Sequence, residues 1–131
     1  MSDAPYSVVY LPATTGQDSV QHFLGNCPIP IQAKFFAVIT AVSTAPPRKF
    51  RGGGYWEAMR GTLSGWYEIR IDGPPNRTHY RLFCLLDETS PSGSRLVIVA
   101  GLRKKFQTKF SAKDYQAVLA LGETYWQGEE F

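Results

Sequence analysis

Two arginines, Arg70 and Arg81, stand in neighbouring stretches of alternating apolar and polar sequence, with a histidine, His79, two places before the second. Guanidinium groups bind phosphate oxygens bidentately and stay charged at any working pH, and an imidazole exchanges protons near neutrality. Over residues 66–72 the alternation puts Tyr67, Ile69 and Ile71 on one strand face and Glu68, Arg70 and Asp72 on the other. Over 79–87, Tyr80, Leu82, Cys84 and Leu86 point one way and His79, Arg81, Phe83 and Leu85 the other. If the turn pairs Asp72 with His79, antiparallel register sets Arg70 directly opposite Arg81 on the open face. Like charges so placed cost about 0.2–1 kcal/mol unless an anion or a carboxylate lies between them. Two fillers are open: a surface ion network through Glu68, Asp72 or Asp87, and a bound phosphate.

The sequence after the second strand favours phosphate. Between residues 89 and 113 there is no acid, whereas Arg95, Arg103, Lys104, Lys105, Lys109 and Lys113 are all basic. Acids collect instead at Glu123, Glu129 and Glu130, so the modest net charge of +3 hides one electropositive end. Arg103, Lys104, Lys105 and Lys109 are expected to converge on the arginine edge as further cations for phosphate. For proton transfer, His79 has the right chemistry, while Tyr67 and Tyr80 fall on the faces expected in the core.

Positioning these groups requires a scaffold of short elements. Residues 7–11 read as a strand stopped by Pro12. Asp18 is placed to cap a short helix with Val20, Phe23, Leu24 and Cys27 on one face, ended by Pro28. Pro30 suits the first turn of a second helix that lines up Ile31, Phe35, Val38, Ile39 and Val42 and closes at Pro46 and Pro47. Residues 43–61 form a long basic, glycine-rich connection with a short turn around residues 56–60. Strands at 66–72, 79–87 and 96–102 follow as an antiparallel meander, separated by residues 73–76 and 90–93. Ser111 and Asp114 make a capping-box start for a last helix carrying Tyr115, Val118, Leu119, Gly122 and Trp126. The expectation is a single α+β domain over residues 1–131, in the order β-α-α-β-β-β-α.

Several function classes drop out. The longest uncharged apolar stretch, residues 35–42, is too short to span a bilayer, and the first residues lack the pattern of a secretory leader, so a cytoplasmic location is expected. Cys27 and Cys84 are expected as free thiols, and with His22 and His79 isolated, no metal or other cofactor is expected. The run Arg51, Gly52, Gly53, Gly54 lacks the ending of a nucleotide-binding loop, and the glycosylation triplet at Asn76 has no meaning in the cytoplasm. Trp126 is expected to close the core.

Three fragments in order resemble the HigB-like branch of the RelE/ParE toxin superfamily. They are Trp66-Tyr67-Glu68-Ile69-Arg70, then Tyr80-Arg81-Leu82-Phe83, then residues 101–109 with Arg103, Lys104, Lys105 and Lys109. The likeness spans about residues 56–126, and the upstream strand and helical hairpin agree with that family's order of elements. It implies a RelE-like fold: a helical hairpin packed on a small, largely antiparallel twisted sheet, with a C-terminal helix. It also implies the toxin of a type II toxin–antitoxin pair, a metal-independent endoribonuclease that cuts mRNA on the ribosome and is neutralised by a cognate antitoxin. By residue-wise carry-over, Arg70 and Arg81 bind the scissile phosphate and the lysines hold flanking phosphates or ribosomal RNA. The family's C-terminal Tyr or His has no clear counterpart beyond Tyr125 and the closing Glu-Glu-Phe. A ParE-like inhibitor of DNA gyrase and a non-catalytic RNA-binding module are the alternatives.

Overall fold

In the computed structural model, the residues described are 5–12, 19–44, 54–73, 77–105 and 108–128. The elements follow the apolar periodicities closely. Strand β1 is Ser7–Tyr10, helix α1 is Val20–Gly25 and helix α2 is Ile29–Thr44. The face of α2 that is buried comprises Ile31, Phe35, Val38, Ile39, Val42 and Ser43, the expected stripe with one serine added. The cap of α1 differs from expectation. Ser19, not Asp18, accepts from the His22 backbone N–H at 3.0 Å, because a side-chain oxygen caps only from the residue flanking the first turn. Asp18, Pro46 and Pro47 lie outside the described residues.

Three further strands form the meander: β3 at Tyr67–Gly73, β4 at Thr78–Asp87 and β5 at Arg95–Lys104. The connection holds more structure than expected, since residues 56–58 are a strand, β2 (Trp56–Ala58), not a turn. Three residues are too few to show an alternation, so pairing with β3 decides the conformation. Helix α3, Ala112–Trp126, begins with the expected capping box: Ser111 Oγ accepts from Asp114 N at 3.1 Å and Asp114 Oδ2 from Ser111 N at 2.8 Å.

The sheet order is β1-β5-β4-β3-β2, with β1 parallel to β5 and the other neighbours antiparallel. Helices α1 and α2 cover one face, where Ile69, Ile71, Tyr80, Leu82, Cys84, Leu96 and Ile98 meet Leu24, Phe35 and Val42. The other face is not open along its length. Phe83, Leu85, Val97 and Val99 pack with Trp66, Leu63 and, from α3, Val118 and Tyr125. Burying each such side chain contributes about 1.5–3 kcal/mol, so both faces need a cover. Gly122 lets α3 reach the sheet, since a Cβ there would lie 2.4 Å from Trp66 Cζ2. Trp126, expected in the core, is 50% exposed, and Tyr125 is buried in its place.

One irregularity redirects the basic segment. Pairing between β4 and β5 steps from Cys84↔Ile98 to Phe83↔Ala100, leaving Val99 as the extra residue of a bulge. Beyond it the alternation is inverted, so Arg103 lies with Tyr80 on the hairpin face while Leu102 and Lys104 join Arg81 and His79 on the other. Among the described residues, no helix is long and apolar enough to cross a membrane.

Candidate functional site

The register of β3 and β4 is the one the turn length required: Arg70 pairs with Arg81 and Asp72 with His79. Continuing across β5, Arg81 pairs with Leu102 and His79 with Lys104. Paired residues share a face, so Arg70, Arg81, Asp72, His79 and Lys104 form one patch on the side away from the helical hairpin.

Carboxylates already fill the space around the arginines. Arg70 Nη1 lies 3.3 Å from Glu57 Oε2 and its Nε 3.5 Å from Glu68 Oε1. Arg81 Nη1 donates to Asp72 Oδ1 at 2.9 Å, to the Tyr80 carbonyl at 2.9 Å and to that of Ile71 at 3.4 Å. The expected ion network is therefore present, with Glu57 of β2 as a member the sequence did not suggest. Asp87, the third expected neutraliser, stands at the far end of β4. There it accepts from the Tyr125 hydroxyl, and from Thr89 N and Oγ1 at 2.9 and 2.8 Å.

The two arginines differ in access. The Arg70 side chain is 41% exposed and that of Arg81 only 7%. A phosphate entering from solvent meets Arg70, whereas Arg81 is committed to backbone carbonyls and to Asp72. Of the two guanidinium groups expected to bind phosphate, the structure exposes that of Arg70 and buries that of Arg81 against Asp72.

His79 Nδ1 sits 2.8 Å from Asp72 Oδ1, and Arg81 Nη2 is 3.5 Å from the same ring nitrogen. Burial on its own raises the Asp72 pKa, but hydrogen bonds from His79 and Arg81 and their charge outweigh it and hold the carboxyl below the usual aspartate value. With Asp72 ionised, the imidazole Nδ1–H is the donor of this bond. Glu68 goes the other way. Burial raises its pKa most, the charges of Arg70 and Arg81 offset part of the rise, and Glu57 adds to it.

The basic residues expected to converge here separate. Lys104 is in the patch, 3.4 Å from Asp114 Oδ2 and 5.8 Å above the Phe110 ring. Arg103 is not, because the bulge turns it to the hairpin face, where it lies over Phe23 and Tyr80 at 5.6 and 5.7 Å. Lys105 and Lys109 are exposed beyond the end of β5. Tyr67 and Tyr80 pack on the hairpin side, as their alternation required. In the immediate network Arg70, Arg81 and Lys104 face Glu57, Glu68, Asp72 and Asp114, so the acids outnumber these bases by one.

Among the described residues no group of three or more His, Cys, Asp or Glu side chains is placed to hold a metal ion. Cys27 and Cys84 are free, buried thiols whose pKa values burial raises. Comparison with protein-family models, with curated proteins and with solved structures found no match to this chain.

Proposed function

We propose that this protein is a metal-independent endoribonuclease of the RelE/ParE toxin kind, cutting mRNA on the ribosome and held inactive by a cognate antitoxin. The observation that carries this reading is the Asp72–His79 pair lying next to two arginines set directly opposite each other. The order of strand, two helices, meander and last helix supports it as well, being the order the resemblance implies with β2 added.

The chemistry is a transesterification within the RNA. His79 Nε2 takes the proton of a ribose 2′-hydroxyl, and the 2′-oxygen forms a bond to the adjacent phosphorus. The bond from phosphorus to the 5′-oxygen breaks, that oxygen takes a proton from water, and a 2′,3′-cyclic phosphate remains. Asp72 holds the imidazole in the accepting tautomer and Arg81 holds Asp72. Arg70 exchanges Glu57 and Glu68 for the non-bridging oxygens, where negative charge grows in the transition state. Lys104, across the sheet from His79, faces the flanking phosphate.

Expression without antitoxin tests this reading. Growth arrest, shortened transcripts and cyclic-phosphate ends formed when the protein is added to translating ribosomes are expected, and each is lost in Arg70→Ala and His79→Ala. Arrest with DNA damage and intact transcripts assigns a gyrase inhibitor instead. One observation favours a non-catalytic RNA-binding module, namely the carboxylates already held against both arginines. That reading expects salt-dependent RNA binding with no cleavage on ribosomes.

A further inference from the structure

Strand β1 pairs with β5 only from Ser7↔Arg95 to Tyr10↔Ile98, and the Leu11 N–H donates to the Ile98 carbonyl at 3.1 Å. From residue 99 to 104, β5 keeps β4 on one side and, among the described residues, has no strand on the other. Such an edge presents alternate N–H and C=O groups to any chain that can lie along it. A groove of about 650 Å³ wraps this edge. Its floor is Ala100, Gly101, Leu102 and Arg103, one wall is α1 through His22 and Phe23, and the other is α3 through Lys113, Ala117 and Leu121. Gly101 lets the α1 wall close in, since a Cβ there would lie 2.2 Å from Phe23 Cδ2.

The groove carries cations on its floor, at Arg103, and on its α3 wall, at Lys113. Arg103 is exposed, resting on aromatic rings and donating to the Asn26 carbonyl at 3.4 Å. Among the described residues neither Arg103 nor Lys113 has a carboxylate partner. Asp114, the acid in the lining, is held by Lys104 and by the Ser111 cap. A peptide strand added to an edge directs alternate side chains to opposite faces, here towards Arg103 on one side and Lys113 on the other.

We propose that the open edge of β5 docks an acidic, extended peptide segment of another protein as an added strand. Six residues of edge span roughly 20 Å, enough for about six residues of partner. A nucleic-acid strand cannot match the alternating donors and acceptors of a peptide edge. A second copy of this edge would bring Arg103, Lys104 and Lys105 against themselves. The proposal does not rest on nuclease activity.

The test is amide NMR on the full-length protein, titrated with a capped octapeptide of valine, glutamate and aspartate that carries adjacent acids. Saturable shifts centred on residues 99–104 and the facing turns of α1 and α3 are expected. Affinity should fall at least tenfold when alternate peptide amides are N-methylated. It should fall as far for the paired change Arg103→Glu with Lys113→Glu, which should instead gain binding to a lysine-for-acid version of the peptide. Four results would overturn the proposal: shifts elsewhere or none, equal binding of the N-methylated peptide, equal occupancy by a uridine hexamer, or slow exchange of amides 99–104 without peptide. Dimerisation through the same residues overturns it too.

Discussion

Arg70 and Arg81 face each other across β3 and β4, yet their guanidinium groups part: one reaches outward to Glu57 and Glu68, the other lies under the surface against Asp72 and two backbone carbonyls. Removing Arg81 therefore orphans buried acceptors. Arg81→Ala is expected to lower stability by about 1–3 kcal/mol, read by urea unfolding. A loss below 0.3 kcal/mol, roughly the scatter of such fits, would show that the buried bonds are not stabilising.

Arg70→Ala should behave in the opposite sense. Its ion pairs are exposed, and exposed pairs are worth about 0–1 kcal/mol, so unfolding should change little. Ribosome-dependent cleavage should fall about 100-fold or more, the scale of removing one group that stabilises transition-state charge. Full cleavage by a folded Arg70→Ala protein removes Arg70 from the mechanism.

Asp87 gives the pH dependence a defined sign. Burial pushes its pKa up, but hydrogen bonds from Tyr125 and Thr89, with the charge of Arg95, bring it below the ordinary value. A depressed folded pKa contributes stability that is present above the unfolded value of about 3.9 and is lost as pH falls through the lower folded value. Asp87→Asn should therefore cost about 1–3 kcal/mol near pH 7, with the gap to the parent closing as the solution is acidified below the unfolded value of about 3.9. A gap that stays constant down to acid unfolding would contradict the assignment.

Gly122→Ala should loosen α3, because the new methyl would meet Trp66 at 2.4 and 2.6 Å. The expected cost is about 1–3 kcal/mol, as for other overpacked sites. Pairing it with Trp66→Leu should recover part of the loss in a double-mutant cycle. Strict additivity would place the clash elsewhere.

The legible part of this fold is the part with long, single-period patterns. The α2 stripe, the α3 capping box and the Arg70↔Arg81 register all follow from spacing and turn length. Three features do not. A three-residue strand at Trp56 has too little length to display alternation, so Glu57 escaped notice as a partner of Arg70. The bulge at Val99 shifts every later side chain by one face, and nothing in a β-branched run marks which residue will be extra. Alternation alone puts Phe83 and Leu85 on the face of Arg81, but the run from Leu82 to Leu86 is apolar at every position, the mark of a strand covered on both sides. Assigning Trp126 rather than Tyr125 to the core misplaced the last turn of α3 by one residue.

The first strand finds its place only beside the last one. Ser7–Tyr10 pairs with Arg95–Ile98, so β1 has no strand partner until β5 has left the ribosome. Contacts so distant in sequence are formed late and slow folding. For a protein whose proposed target is the translating ribosome, this threading order delays assembly of the complete sheet until β5 has emerged.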